Sequence, residues 1–96
     1  MQVKWLSLAL ADLDTVAAYI ARDSRPGAAE RTVDGIFAAA DRLANYPASG
    51  RPGRVLGTRE LVVPDTPYIL PYRVRGQIVE VIRVLHGSRK WPENFK

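Results

Sequence analysis

Residues 68–87, YILPYRVRGQIVEVIRVLHG, decide the fold of this chain. Two runs rich in β-branched and aromatic residues, 68–74 and 78–85, lie on either side of a short RGQ turn. Such runs joined by a tight turn predict two antiparallel strands. A third run of this kind, 59–63, precedes them across a PDTP turn. The three runs therefore predict an antiparallel meander, and the most continuously apolar of them, 78–85, is expected to lie centrally in the sheet.

Pro71 interrupts the middle one of these three runs. Proline has no backbone N–H, so it cannot donate a hydrogen bond to a neighbouring strand. A proline inside an otherwise regular strand therefore marks a break in the ladder. We expect a bulge or an unpaired stretch in the middle strand at this residue.

The first half of the chain predicts two helices. In residues 8–22 apolar side chains recur at steps of three and four, which is typical of an amphipathic helix, and a second such stripe covers residues 26–45. Because the break between them is short, the helices should form an antiparallel hairpin. Residues 3–6 predict a short first strand. The expected fold class is α+β, in the order β-α-α-β-β-β, with the helical hairpin on one face of an antiparallel sheet.

The composition limits the possible functions. A chain of 96 residues makes one domain, and it contains no cysteine and a single histidine. Disulfides and thiolate metal sites are therefore excluded, and we expect no metal or cofactor. No stretch approaches the roughly 20 apolar residues of a membrane span, and the segment KWLSLALAD meets two aspartates too early for a secretory signal. This composition suits a reducing cytoplasm, the expected location.

Positive charge is concentrated in the second half of the chain. Residues 1–50 contain five Lys/Arg and six Asp/Glu, a net charge of −1, whereas residues 51–96 contain nine and four, a net charge of +5. A basic half favours an anionic partner, either a nucleic acid or an acidic protein segment. A solvated basic surface with no partner has the same composition.

Strand alternation predicts where the arginines lie. Arg83 is expected on the strand face opposite its two apolar neighbours, and Arg73 and Arg75 share one face of the preceding strand. If the helices cover the other face, these arginines gather on the open one, with Arg59 nearby. A charge inside an apolar strand also needs a partner, so Arg83 is a candidate functional residue.

The segment that follows the last strand, 86–92, contains the histidine and an aromatic residue. His86 could act as a general acid or base, since its ordinary pKa is about 6.5, or it could cap the strand end by hydrogen bonds to the next loop. No Gly-x-Ser-x-Gly elbow accompanies Ser88, which excludes the usual serine-hydrolase arrangement. Trp91 and Tyr68 could stack on a ligand or complete the core.

The chain resembles a known family. The segments VEVIRVLHGSRKWP, PYILPYRV, GTRELVV and ALADLDTVAAYI are together similar to the ParE branch of the RelE/ParE toxins of bacterial type II toxin–antitoxin systems. The most specific part is 83–87 with Arg89 and Trp91. The resemblance implies a helical hairpin on a curved antiparallel sheet. It also implies a cognate antitoxin whose flexible, acidic C-terminal segment wraps the toxin. The residues expected to contact that segment are Leu13, Val16, Ile20, Arg59 and Arg75.

Two activities occur in toxins of this kind. RelE-like members cleave messenger RNA on the ribosome, whereas ParE-like members bind and poison DNA gyrase. The run RELVV has no lysine pair and the last residues, NFK, contain no tyrosine, so the chain departs from the nuclease pattern. The resemblance therefore favours gyrase. The expected target-binding residues are Arg73, Arg83, His86, Arg89, Lys90 and Trp91.

Two other functions stay open at this point. In a nuclease, His86 would be the acid–base group, and Arg83 and Arg89 would stabilise the phosphorane. A simple nucleic-acid-binding module without toxicity is the third class. If gyrase is the target, replacing either arginine with alanine should reduce toxicity more than His86→Ala.

Overall fold

The chain forms two helices and six strands within residues 1–23 and 25–95, which the computed structural model describes. The helices are α1 (Ser7–Asp23) and α2 (Ala28–Arg42). The strands are β1 (Gln2–Trp5), β2 (Arg51–Pro52), β3 (Arg59–Val62), β4 (Tyr68–Arg75), β5 (Ile78–Val81) and β6 (Leu85–His86). Neither helix is long and apolar enough to cross a membrane.

The strands form one sheet in the order β1-β5-β4-β3-β2, with β6 paired to β4 beyond the end of β5. The α+β class, the helical hairpin and the meander β3-β4-β5 are confirmed, and β5 is an interior strand. One detail differs from the expectation: β1 runs parallel to β5, so the sheet is mixed rather than wholly antiparallel. No turn joins β1 to the meander, so no local sequence pattern determines its direction.

The irregularity that Pro71 predicts is found opposite this residue, in the chain between β5 and β6. Tyr72 is paired with Val81 and Ile69 with Leu85, so two residues of β4 face three residues, 82–84, between β5 and β6. This is a β-bulge, and β4 itself is continuous through the proline. The expected break therefore exists, but the partner strand contains it.

The core lies between the helical hairpin and one face of the sheet. Alanines of both helices are fully buried there, and such small side chains let the helices lie close to their neighbours. The core side chains are Ala9, Leu13 and Val16 of α1, Ile36, Ala39 and Ala40 of α2, Leu43 after it, and Val63, Tyr68, Leu70, Tyr72, Val79, Val81 and Val84 of the sheet side. Burying one such aliphatic side chain contributes about 1.5–3 kcal/mol.

A buried tyrosine attaches the loop after α2 to the sheet. The hydroxyl of Tyr72 donates to the carbonyl of Pro47 at 2.7 Å and accepts from the N–H of Gly50 at 2.9 Å. A Cβ at position 50 would lie 2.6 Å from the tyrosine ring, so only glycine fits. This loop leads into β2, and its position sets the edge of the sheet.

We predict that Tyr72→Phe destabilises the protein by about 1–3 kcal/mol, because a buried N–H and a carbonyl lose their partner without a change of packing volume. Urea unfolding followed by circular dichroism measures this difference. Tyr46→Phe is the control, since Tyr46 is 66% exposed and should leave the midpoint unchanged. Equal unfolding midpoints for Tyr72→Phe and the unmodified protein would contradict the assignment.

Candidate functional site

A cleft lies between α1 and the last strand with the segment that follows it. Its volume is about 210 Å³. It is lined by Asp12, Thr15, Val16, Tyr19, Tyr68, Val84, Leu85, His86, Arg89, Lys90 and Trp91. The cleft brings together four of the six residues expected to bind the target: His86, Arg89, Lys90 and Trp91. The other two, Arg73 and Arg83, are not among its lining residues.

His86 stands at the end of β6 with one ring nitrogen engaged. Its Nδ1 accepts a hydrogen bond from the backbone N–H of Ser88 at 3.2 Å and lies 3.1 Å from the Ser88 hydroxyl. Its ring packs edge to face against the ring of Tyr68, with the two ring centroids 5.8 Å apart. Within residues 1–23 and 25–95 it forms no salt bridge with a carboxylate. These contacts match the strand-capping role considered for this residue.

Two tyrosines line the cleft together with Trp91. Tyr68 is buried and belongs to the core, and burial raises the pKa of its phenol, although the nearby Arg89 charge opposes the shift. Tyr19 is about half exposed on α1, with the guanidinium of Arg89 5.1 Å from its ring centroid. This cation–π contact holds a positive charge at the rim of the cleft.

Arg83 does not present an unpaired guanidinium on the open face, although it lines one pocket together with Arg73. Its Nε and terminal nitrogen donate to the two carboxylate oxygens of Asp12 on α1, at 2.7 and 3.0 Å, and the N–H of Val84 donates to the same carboxylate at 2.9 Å. The bulge at 82–84 breaks the strand alternation on which the expectation rested. The partner that the arginine needed is therefore internal. The hydrogen bond to Asp12 also raises the pKa of Arg83 above its ordinary value.

Arg73 and Arg75 do share the open face, as predicted, and they lie beside an acidic partner. The Nε of Arg73 donates to Glu80 at 2.7 Å across the β4–β5 pair, and the Nε of Arg75 is 3.5 Å from the same oxygen. The hydrogen bond from Arg73 lowers the pKa of the Glu80 carboxyl. Most of the positive charge of Arg73 is thus compensated within the sheet.

Arg59 lies on the opposite face from these two arginines. It is in register with Tyr72, whose side chain points into the core, and its guanidinium donates to the carbonyls of Gly50 at 2.7 Å and Ala48 at 3.3 Å. The expectation that it would lie near Arg73 and Arg75 is therefore wrong. Its β3 position has the same parity as Leu61, which also packs against the core.

The residues expected to contact an antitoxin have unequal exposure. Leu13 and Val16 are buried in the core, and Ile20 is half-buried against it, so the first two offer little surface to a partner. The exposed leucines of α1 are instead Leu8 and Leu10, each about half exposed. Helical periodicity locates an apolar stripe but cannot separate its core side from its open side.

The sequence analysis did not identify Glu60 and Arg54 as functional residues. Their contacts position the segment that follows β6. Glu60 is only 3% exposed and accepts from the Arg51 guanidinium at 3.1 Å and from the Arg54 N–H at 2.8 Å. The Arg54 guanidinium lies 3.7 Å from the ring centroid of Trp91, whose indole N–H donates to the His86 carbonyl at 2.9 Å. The sequence did contain one indication of this arrangement. Glu60 is a carboxylate within the apolar run RELVV, and a carboxylate buried in a strand requires a basic partner.

The architecture is that of a small bacterial toxin. A solved chain titled "Chromosomal ParDE TA system from P. aeruginosa" is similar to 90% of this chain, over 95% of its own length, with a TM-score of 0.82 and 30% sequence identity. A family model described as "ParE toxin of type II toxin-antitoxin system, parDE" matches residues 3–91. The chain belongs to this ParE toxin family, within the RelE/ParE superfamily that the sequence resembled.

Two relatives carry toxin names. The candidate toxin Y4kP of Sinorhizobium fredii is 50% identical over 92 residues, which cover 96% of this chain and 94% of that protein. Toxin RelE2 of Caulobacter vibrioides is 42% identical over 88 residues, which cover 92% and 97% of the two chains. The protein is therefore the toxin of a type II toxin–antitoxin system, and its family implies a cognate antitoxin.

We predict that Asp12→Ala destabilises the protein by about 2 kcal/mol, because it leaves a half-buried guanidinium and a backbone N–H unpaired. Combining it with Arg83→Ala should reveal a coupling energy of about 1 kcal/mol or more in a double-mutant cycle. Asp14→Ala, an exposed position on the same helix, should change stability by less than about 0.5 kcal/mol. Additive effects of Asp12→Ala and Arg83→Ala would show that the pair is energetically independent.

A second prediction concerns acid stability. Because its folded-state pKa lies below the ordinary 4.5, Glu80 stabilises the protein above pH 4.5 and loses this contribution as the pH falls through the folded-state pKa. The difference in urea midpoint between the unmodified protein and Glu80→Gln should therefore be largest at pH 7 and shrink progressively below pH 4.5. Glu93→Gln, at an exposed position, is the control. A difference that does not depend on pH would contradict the pairing with Arg73.

Proposed function

We propose that this toxin acts by inhibiting DNA gyrase, and that its cognate antitoxin neutralises it by covering the toxin. The observation that favours gyrase inhibition over RNA cleavage is the pairing of Arg83 with a carboxylate of the toxin itself. Its guanidinium is bidentate to the Asp12 carboxylate, which also accepts a backbone N–H. This arginine is consequently a structural cation, and its charge is compensated before any ligand binds.

A nuclease site would need the opposite arrangement. Cleavage of RNA requires cations directed at the phosphate oxygens and an acid–base group within reach of the transferred proton. Arg83 is paired with Asp12, and Arg73 donates to Glu80. His86 has its Nδ1 engaged by Ser88. The remaining cations of the cleft, Arg89 and Lys90, are exposed at its rim and suit recognition of an acidic surface.

The antitoxin partner follows from the family, and we propose where it binds. The apolar side chains that the helical hairpin leaves exposed include Leu8, Leu10 and Phe37. An acidic, flexible segment of the antitoxin would cover such side chains, and Arg75, whose side chain is 66% exposed, would contribute a positive charge. Of the residues first expected to contact the antitoxin, Ile20 and Arg75 stay candidates, whereas Leu13 and Val16 support the helix from inside. Growth arrest on expression, relieved by the antitoxin, is the expected phenotype.

Cleavage of messenger RNA on the ribosome is the competing function. One relative is named Toxin RelE2, and His86 and Arg89 line one cleft. In that case the imidazole would transfer the proton, and loss of His86 alone would abolish toxicity in a protein that still folds. If gyrase is the target, His86 supports the end of β6, and its replacement has a smaller effect.

The test is DNA supercoiling by purified gyrase with increasing amounts of the toxin. We expect inhibition together with accumulation of cleaved DNA, and no inhibition by the toxin bound to its antitoxin. Arg89→Ala should weaken inhibition about fivefold to tenfold, as expected for the loss of about 1–1.4 kcal/mol at an interface, and His86→Ala by less. Arg22→Ala, an exposed arginine outside the cleft, is the matched control.

A folded toxin that binds its antitoxin but leaves supercoiling unchanged would overturn the proposal. Messenger RNA cleavage in a ribosome-containing translation system should then be measured with the same proteins. Cleavage lost in His86→Ala would establish the nuclease function instead.

A further inference from the structure

We propose that the cleft between α1 and β6 is the docking site for an acidic, partly apolar peptide segment of the target protein. The inference rests on the proposed function and specifies which surface of the toxin performs it. In this arrangement an apolar side chain of the target enters the cleft, and neighbouring carboxylates of the target face Arg89 and Lys90.

The interior of the cleft is apolar and small. Val16 and Val84 are buried at its base, and Leu85 is half-buried beside them. Its volume of about 210 Å³ is below the roughly 300 Å³ at which small-molecule pockets begin. A space of this size suits one large side chain projecting from a peptide better than a separate small molecule.

The charge around the cleft selects an anionic partner. Asp12 is the one carboxylate among the described residues that line it, and both of its oxygens already accept hydrogen bonds from Arg83. Arg89 and Lys90 are exposed, and none of the salt bridges within residues 1–23 and 25–95 includes them. The cleft therefore presents two cations whose charge a partner can compensate.

The aromatic side chains favour a peptide over a nucleic acid. Single-stranded nucleic acids bind by stacking bases on open aromatic faces. The Arg54 guanidinium covers one face of Trp91, 3.7 Å from its ring centroid. The Arg89 guanidinium lies 5.1 Å from the ring centroid of Tyr19. Tyr68 is buried and meets His86 edge to face. The aromatic side chains thus make most of their contacts within the protein. The surface left for a ligand is the apolar depression between the rings.

The first experiment blocks the cleft with a neutral side chain. Thr15 is exposed on α1 and lines the cleft, so Thr15→Tyr fills the entrance without altering charge. Ala38→Tyr introduces the same side chain at an exposed position of α2 and is the matched control. Circular dichroism and urea unfolding establish that both variants fold. We expect gyrase inhibition to fall at least tenfold for Thr15→Tyr and to stay unchanged for Ala38→Tyr.

The second experiment tests the chemistry of the occupant without gyrase. Trp5 and Trp91 are the two tryptophans, so in Trp5→Phe the emission of Trp91 reports on the cleft. A twelve-residue peptide of four Glu-Glu-Leu repeats should shift this emission saturably. Binding should weaken at least tenfold in 0.5 M salt and on adding Arg89→Glu, and the peptide of Gln-Gln-Leu repeats should give no shift.

Each contrary result has a definite meaning. If the unmodified toxin does not inhibit gyrase, the proposed function fails, while peptide binding still tests the cleft. If it inhibits and Thr15→Tyr inhibits equally, the target binds elsewhere and the inference is wrong. If Thr15→Tyr loses the acidic peptide but inhibits gyrase normally, another acidic partner such as the antitoxin occupies the cleft. Saturable binding of a twelve-nucleotide single-stranded DNA in place of the peptide would make the cleft a nucleic-acid site.

Discussion

The salt bridge between Arg83 and Asp12 is the interaction on which the rest of the site depends. Pro71 cannot donate to its neighbour, and the strand opposite it has one extra residue, which turns Arg83 away from the regular alternation. The arginine reaches α1, and the same carboxylate accepts the N–H of Val84. These bonds fix the spacing between α1 and β6. That spacing is the cleft, so a backbone constraint in the middle strand determines the geometry of the proposed docking surface.

The pairing of charges distinguishes the basic residues of the sheet from those at the rim of the cleft. Arg73 and Arg83 lie against carboxylates, and Arg59 is bonded to backbone carbonyls, so these residues stabilise the fold. Arg89 and Lys90 remain at the rim of the cleft. A net charge of +4 therefore says less about function than the positions of those cations that form no salt bridge within the described residues. Arg54 and Glu60 also stabilise the fold, because they hold Trp91 and with it the segment that contains Arg89 and Lys90.

Much of the fold could be predicted from local patterns. A single sequence shows the periodicity of the two amphipathic helices and of the three β-branched runs, and it shows the turn residues between those runs. The structure confirms these elements. The parallel direction of β1 and the bulge at 82–84 could not be predicted, because they depend on contacts between segments distant in the chain. The partner of Arg83 could not be predicted for the same reason: the sequence indicated that this arginine needs a partner, but not which of ten acidic residues it is. Four residues of the final segment, His86, Arg89, Lys90 and Trp91, line one cleft because they are close in sequence, and their role in target binding stays a prediction.

We propose that the toxin contacts its target through the cleft between α1 and β6. Hydrogen–deuterium exchange of the toxin, measured alone and bound to purified gyrase, tests it most directly. If the target binds there, amides in residues 84–91 and in the part of α1 around Thr15 gain protection, and those of β3 and the open face of the sheet do not change. Protection confined to β3, β4 and the open face, with the cleft exchanging as in the free toxin, would contradict it.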